Sequence, residues 1–207
     1  MKDAVLKAKL KEKYGDSQIY VLPYVEYEHI PDKFTRIDDG PKASVLIDQK
    51  AKLVFRRDAE YEPAFQQPIP YILIKHFTEN KYYIGKRIKG EERLIGQLSL
   101  GFGGHMDPED GPTNILSNAF ARELNEEINI AHSYAELIGY VRDLNSPTND
   151  HIGHVMLLKT EQDISIKEND CLVGEWMAVC DLENNYYKFE NWAKHIIDYL
   201  VIHSYQF

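Results

Sequence analysis

Residues 122–128 read Arg-Glu-Leu-Asn-Glu-Glu-Ile. The surrounding stretch 113–128 repeats apolar residues every three or four positions, which predicts an amphipathic helix with one face on the core. Glu123, Glu126 and Glu127 are neighbours on that helix, so like charges crowd together beside its apolar stripe. Carboxylates at the edge of a core need a compensating cation or a raised pKa. We therefore expect a divalent metal ion at this helix.

The composition indicates a soluble globular protein. The chain has 207 residues, of which 43% are hydrophobic and 28% charged, and both fractions are ordinary for such proteins. The formal net charge of −9 disfavours a dedicated nucleic-acid-binding protein, because phosphate contacts need clustered Lys and Arg. The N-terminus lacks the apolar run of a signal peptide, and no run approaches the ~18 apolar residues of a membrane span. Cys171 and Cys180 are interpreted as reduced thiols. We expect a cytoplasmic protein without a membrane or nucleic-acid partner.

The first part of the chain, residues 1–65, is predicted to be an N-terminal extension. Its predicted elements are a helix at 3–14, strands at 18–25 and 44–47, and a loop at 29–42. A proline-rich connection at 63–70 then leads into the main domain, residues 66–207.

The main domain shows clearer patterns. Strands are predicted at 71–77, 81–87, 96–102, 136–142, 152–158 and 172–179, and helices at 113–128 and 187–203. Strands and helices that do not alternate strictly along the chain indicate an α+β or α/β sandwich.

The charged stretch resembles the sequence box of the Nudix hydrolase family, G-x5-E-x7-R-E-U-x-E-E-x-G-U, where U is a bulky aliphatic residue. Residues 122–130 match every specified position of its second half except the glycine, where Asn129 stands. Asparagine tolerates the left-handed conformation best after glycine. We therefore expect Asn129 to end the helix in that conformation.

The first half of the box matches less closely. Counted back from Arg122, its glutamate would fall on Asn114 and its glycine on Pro108, whereas a glycine pair stands at Gly103 and Gly104. A four-residue insertion in the loop (108 − 104 = 4) explains the offset, and loops tolerate added length at small cost. Alternatively, Glu109, six residues after Gly103, is the displaced glutamate. The string GFGGHMDP resembles a bacterial subgroup of predicted phosphoesterases with a longer loop.

The resemblance implies an α/β/α sandwich with a mixed β-sheet between the two predicted helices. It also implies a hydrolase that cleaves a diphosphate (pyrophosphate) linkage in a nucleoside-diphosphate-type substrate by attack of water on phosphorus. The implied cofactor is Mg²⁺, or Mn²⁺, with Glu123, Glu126 and Glu127 as ligands. The expected partner is a phosphorylated small molecule, and the N-terminal extension would either cover this substrate or form the contact of a homodimer.

Several residues have predicted roles in this chemistry. Arg122 would hold the carboxylates through charge-assisted hydrogen bonds. The predicted catalytic residues are Glu126, Glu127, Arg122 and Glu175, and the predicted substrate-binding residues are Gly103, Gly104, His105, Arg87 and Arg93. Simpler interpretations stand beside these: a solvated acidic helix face, a plain glycine turn, and ordinary surface charges.

Two other functions remain open. One is a non-catalytic ligand-sensing domain of the same fold, and the other is a prenyl-diphosphate isomerase, which would need a reactive cysteine near its site. His151 and His154 do not form a zinc pair with each other, because residues three apart on a strand point to opposite faces.

Overall fold

The computed structural model describes residues 2–38, 40–89, 95–131, 134–145, 150–167, 172–204 and 206–207. The helices are α1 (Lys2–Tyr14), α2 (Gly40–Lys50), α3 (Arg56–Ala59), α4 (Ile115–Glu127), α5 (Val179–Asn184) and α6 (Asn191–Ile202). The strands are β1 (Gln18–Pro23), β2 (Phe34–Arg36), β3 (Lys52–Phe55), β4 (Phe65–His76), β5 (Lys81–Arg87), β6 (Leu98–Ser99), β7 (Gly101–Phe102), β8 (Ile128–Asn129), β9 (Ala135–Val141), β10 (His151–Thr160), β11 (Ser165–Ile166) and β12 (Leu172–Ala178). None of the described helices is long and apolar enough to cross a membrane.

The main sheet is mixed, with the strand order β12-β5-β4-β10-β9-β2. Strands β4 and β10 run parallel along ten residue pairs at its centre. The pairings of β4 with β5, β5 with β12, β10 with β9, and β9 with β2 are antiparallel. The predicted mixed α/β architecture is therefore confirmed.

Alternating side chains of β4 divide the interior into two layers, as the period of a strand requires. Ile72 and Ile74 pack in one core with the apolar face of α4. Tyr71 and Leu73 point the other way and pack with α6. The sheet thus lies between α4 and α6, as expected from the two amphipathic patterns.

The strand predicted at 44–47 is wrong, because this stretch lies within α2. Ala43, Leu46 and Ile47 recur at helical spacing, and all three pack in or against the core on the α4 side of the sheet. The prediction rested on a run of four residues that contains Val45 and Ile47, and four residues are too few to reveal a period of 3.6.

The proline-rich connection predicted at 63–70 is also wrong, since β4 begins at Phe65. Pro68 and Pro70 lie within the parallel ladder opposite Ile152 and His154. Proline cannot donate a ladder hydrogen bond, which is why the sequence favoured a connection here.

The first 65 residues pack directly on the rest of the chain. Strand β1 pairs with the start of β4, and Leu22, Tyr27 and Ile30 are buried in the core that contains α4. Strand β2, which lies within the predicted loop at 29–42, adds an edge strand beside β9. A domain boundary near residue 65 remains a prediction.

Candidate active site

Helix α4 places Glu123 at the edge of the core. Leu116, Phe120 and Leu124 of this helix are buried, and Glu123 itself is only 7% exposed. Burial raises the pKa of the Glu123 carboxyl, while the neighbouring Arg122 acts in the opposite direction. Arg122 is paired with three carboxylates, those of Asp110, Glu123 and Glu126, so this group of four side chains keeps a net negative charge that a bound cation would stabilise. The residues present therefore fit a metal ion.

Arg122 holds the carboxylates around it through a fork of hydrogen bonds. Its Nε and Nη2 atoms donate to the two carboxylate oxygens of Asp110 at 2.9 and 3.0 Å. Nη1 donates to Glu123 at 2.8 Å and to Glu126 at 3.3 Å. Nη2 also donates to the carbonyl of His105 at 2.8 Å. Such bidentate, charge-assisted contacts fix geometry as well as adding energy.

The glycine pair lets the loop pass close to both β4 and α4. A Cβ atom at Gly104 would lie 2.6 Å from Glu123 Oε1. Gly103 has a φ of +139°, and a Cβ there would lie 1.9 Å from the carbonyl oxygen of Pro70. Only glycine allows both approaches, so the structure brings the glycine pair and Glu123 together.

Asp110 is a site residue that the sequence analysis missed. It is only 1% exposed and stands six residues after Gly104 (110 − 104 = 6), the spacing between the glycine and first glutamate of the box. Arg122 follows twelve residues later (122 − 110 = 12) rather than eight, so the four extra residues lie between Asp110 and Arg122. Glu109, the proposed displaced glutamate, is exposed and has no described contact with Arg122. Counting from the second glycine and allowing aspartate would have found Asp110.

The two asparagines at the ends of α4 differ from expectation. Asn129 is not left-handed, because it lies in β8 and pairs with Ser165. Instead Asn114, which directly precedes α4, has a φ of +55°. Its N–H and that of Ile115 donate to the Asp48 carboxylate of α2 at 2.8 and 3.0 Å. Asp48 thus caps the helix that carries Glu123.

The side chain of His105 contacts β4 and β10. Its Nε2 atom lies 2.8 Å from Gln67 Oε1 and 3.1 Å from His151 Nε2. Burial, with the charge of Arg56, lowers the pKa of His105 well below its usual value. His154 lies in the core against Tyr27, so among the two strand histidines only His151 contacts His105.

The remaining predicted residues are not gathered at Glu123. Glu175 is exposed on the edge strand β12 and shares its strand face with Met177, which packs on the α6 side of the sheet. Arg87 is exposed at the end of β5, where its charge acts on Glu190. Arg93 lies outside the described residues. Cys180 is exposed on α5, and Cys171 lies outside the described residues.

The α4 carboxylates form an open cluster. Glu126 is 56% exposed at its side chain, and Glu127 ends the helix. Within the described ranges, one group of three His, Cys, Asp or Glu side chains has its ligand atoms within 4.8 Å of one another, and it consists of Asp32, Asp143 and His195. The two aspartates of that group accept backbone hydrogen bonds from Leu144 and Asn145, so they hold the turn that follows β9.

Comparison with known proteins gives three informative matches, although no family model matches the chain. Protein YmaB of Bacillus subtilis (strain 168) is 37% identical over 178 residues, covering 79% of this chain and 85% of YmaB. The crystal structure of Tm1382, provisionally assigned as a Nudix hydrolase, has a TM-score of 0.76 and 25% identity over 89% of this chain and 98% of its own. A bifunctional NMN adenylyltransferase/ADP ribose pyrophosphatase from Francisella tularensis, complexed with AMP and Mn ion, has a TM-score of 0.50 and 17% identity. That match covers 67% of this chain and 42% of the Francisella chain and shows a likeness of fold.

Proposed function

Since this chain belongs to the Nudix hydrolase family, we propose that it is a Mg²⁺-dependent pyrophosphohydrolase. Its substrate class would be a diphosphate linked to a nucleoside-type moiety, cleaved by attack of water on phosphorus. Membership of the family makes the chain a hydrolase, whereas its metal and its substrate class are what we propose.

The observation that carries the proposal is the environment of Glu123. Its carboxylate lies against the backbone of Gly104, is held by Arg122 at 2.8 Å and is almost fully buried. A carboxylate fixed in this way, with its charge under-compensated, is suited to a hard cation that prefers carboxylate oxygens.

Different residues of the chain would have different roles in this reaction. Glu123, Glu126 and Glu127 would hold the ion, which when bound would neutralise the diphosphate and acidify a water molecule. Arg122 keeps Glu123 in place, and the absence of a side chain at Gly104 lets the carboxylate lie against the backbone of the loop. The water oxygen forms a bond to phosphorus, its proton passes to Glu126 or Glu127, and the bridging P–O bond breaks to release the second phosphate.

A panel assay tests this proposal. Nucleoside diphosphate sugars, ADP-ribose and nucleoside triphosphates are incubated with the full chain and Mg²⁺, Mn²⁺ or EDTA, in water enriched in ¹⁸O. Manganese is included because the Francisella tularensis structure contains it. We expect hydrolysis of at least one compound that stops with EDTA, and one ¹⁸O atom in a product phosphate.

If none of the panel compounds is hydrolysed, the proposal is contradicted. Tight binding of a panel compound without turnover would then favour the ligand-sensing alternative. The isomerase alternative gains no support from the described residues, because Cys180 lies on α5 and Glu123 on α4 with no described contact between them.

A further inference from the structure

A second group of metal-type ligands lies where the loop that contains Gly104 and His105 meets β4 and β10. In the parallel ladder, His151 of β10 stands directly opposite Gln67 of β4, so their side chains are neighbours on one face. The loop adds His105, whose Nε2 atom lies 2.8 Å from Gln67 Oε1 and 3.1 Å from His151 Nε2.

One buried carboxylate orients two of these three side chains. Asp150, only 4% exposed, lies 2.7 Å through Oδ1 from His151 Nδ1. A proton on His151 Nδ1 leaves the lone pair on its Nε2 atom, facing His105. The other oxygen of Asp150 accepts from Gln67 Nε2 at 3.0 Å, which turns Gln67 Oε1 toward His105 as well.

Two acceptor atoms therefore lie within hydrogen-bond distance of His105 Nε2, which carries at most one proton. His151 Nε2 and Gln67 Oε1 both present lone pairs to His105 Nε2, and one N–H can make only one of the two hydrogen bonds well. A metal ion in place of that proton would be bound by all three atoms. Ligand atoms at 2.0–2.1 Å from Zn²⁺ are about 2.9–3.4 Å apart at angles between 90° and the tetrahedral value. The two measured separations are close to that range.

We propose that His105, His151 and Gln67 form a site for a borderline transition-metal ion such as Zn²⁺. Two imidazoles and an amide oxygen suit such an ion better than Mg²⁺. Asp150 would be the outer carboxylate that fixes the tautomer of a metal-bound histidine. The nearby cation Arg56 is paired with Glu60 at 3.0 Å. Three protein ligands would leave a fourth position for water or a phosphate oxygen.

The site would lie beside the carboxylate centre, because the His105 carbonyl accepts from Arg122. It does not depend on the proposed function, since none of its ligands belongs to α4. Zn²⁺ binding can therefore succeed or fail separately from Mg²⁺-dependent hydrolysis.

The test is a Zn²⁺ titration of the EDTA-treated full chain in competition with a chromophoric chelator. We expect one tight Zn²⁺ per chain, with affinity at least about 100-fold weaker in His151→Ala and in His105→Ala, and about 10–100-fold weaker in Asp150→Asn. His29→Ala, which changes an exposed histidine, and Glu123→Gln should both retain the tight site. Circular dichroism of each variant verifies folding.

Substitution with Co²⁺ gives a second readout, because four-coordinate, protein-bound Co²⁺ has much stronger visible absorption bands than the hydrated ion. The bands should be present in the native chain and in His29→Ala and absent in His151→Ala. The proposal is overturned if the native chain binds no Zn²⁺ tightly. It is also overturned if a tight site survives in His151→Ala but is lost in Glu123→Gln. In either case His105 and His151 are a hydrogen-bonded histidine pair.

Discussion

Gly104 occupies a position where any side chain would meet the Glu123 carboxylate, 2.6 Å from a Cβ atom. In Gly104→Ala the carboxylate has to move away from the loop, which disturbs its hydrogen bond with Arg122. We expect the free energy of unfolding to fall by about 2 kcal/mol, the usual scale for a hydrogen bond to a charged group, while kcat/KM falls at least about tenfold because a metal ligand is displaced. Urea denaturation and steady-state kinetics measure the two effects.

A double variant controls for unrelated damage. Gly104→Ala should cost little further activity in a chain that already carries Glu123→Gln, since both changes act on one carboxylate. Full activity in Gly104→Ala would show that the position of Glu123 does not matter.

Asp110 gives the second prediction at this scale. Its carboxylate takes two hydrogen bonds from Arg122 and is nearly inaccessible to water. Asp110→Asn should lower the free energy of unfolding by about 2 kcal/mol, the usual scale for a hydrogen bond to a charged group, and should reduce activity by loosening Arg122. Glu109→Gln, at the exposed neighbour, should change neither. A larger loss of activity in Glu109→Gln than in Asp110→Asn would indicate that Glu109, and not Asp110, takes the place of the first glutamate of the box.

The difference between Glu123 and Asp110 explains what could be predicted from sequence. Glu126 lies close to Glu123 and to Arg122 because helix geometry alone makes residues three and four apart neighbours, so the pattern sufficed. Asp110 reaches Arg122 across an inserted loop, and an insertion shifts every count along the chain. His151 and Gln67 meet only because β4 and β10 pair in parallel, which no local pattern encodes.

Among the elements, α2 acts on the site through Asp48, which caps α4 from 67 residues away along the chain. Removing this cap in Asp48→Ala leaves the Asn114 and Ile115 amides without their acceptor. We expect a loss of about 1 kcal/mol in the free energy of unfolding, as for other cap substitutions. Gln49→Ala, at the next and exposed position, is the matched control. Equal stability of Asp48→Ala and Gln49→Ala would show that the cap contributes nothing.

The two helices with a long apolar period were predicted correctly, whereas α2 and the start of β4 were not. Helices α4 and α6 extend over three turns or more, so their apolar stripes were visible in sequence. Helix α2 is stabilised by contacts with α4, including that of Asp48, rather than marked by a long apolar pattern of its own. The prolines at the start of β4 made a central strand resemble a connection. These features depend on tertiary contacts, which outweigh local propensity.

At the scale of the molecule, the N-terminal segment is joined to the sheet through a buried histidine. Tyr27 is hydrogen-bonded to His154 Nε2 at 3.0 Å, and burial lowers the pKa of His154 to about 3. In the unfolded chain this imidazole titrates near its ordinary pKa of about 6.5. The stability linked to neutral His154 is therefore fully present above about pH 6.5 and is lost as pH falls from there toward 3.

Unfolding by urea at pH 7 and pH 5 checks this linkage. Between the two values, the free energy of unfolding of the native chain should fall by about 2 kcal/mol more than that of His154→Asn. The comparison removes the contributions of all other titrating groups, which both chains share. The same pH dependence in both chains would mean that His154 does not resist protonation in the fold.

The turnover of Glu127→Gln tests most directly whether the α4 carboxylates support Mg²⁺-dependent hydrolysis. The variant is compared with the native chain and with Glu161→Gln, an exposed carboxylate outside the site, on the best substrate of the panel at saturating Mg²⁺. We predict that the turnover of Glu127→Gln falls by orders of magnitude although the variant still unfolds cooperatively on heating. Glu161→Gln should keep native turnover. An unchanged rate in Glu127→Gln would contradict the claim.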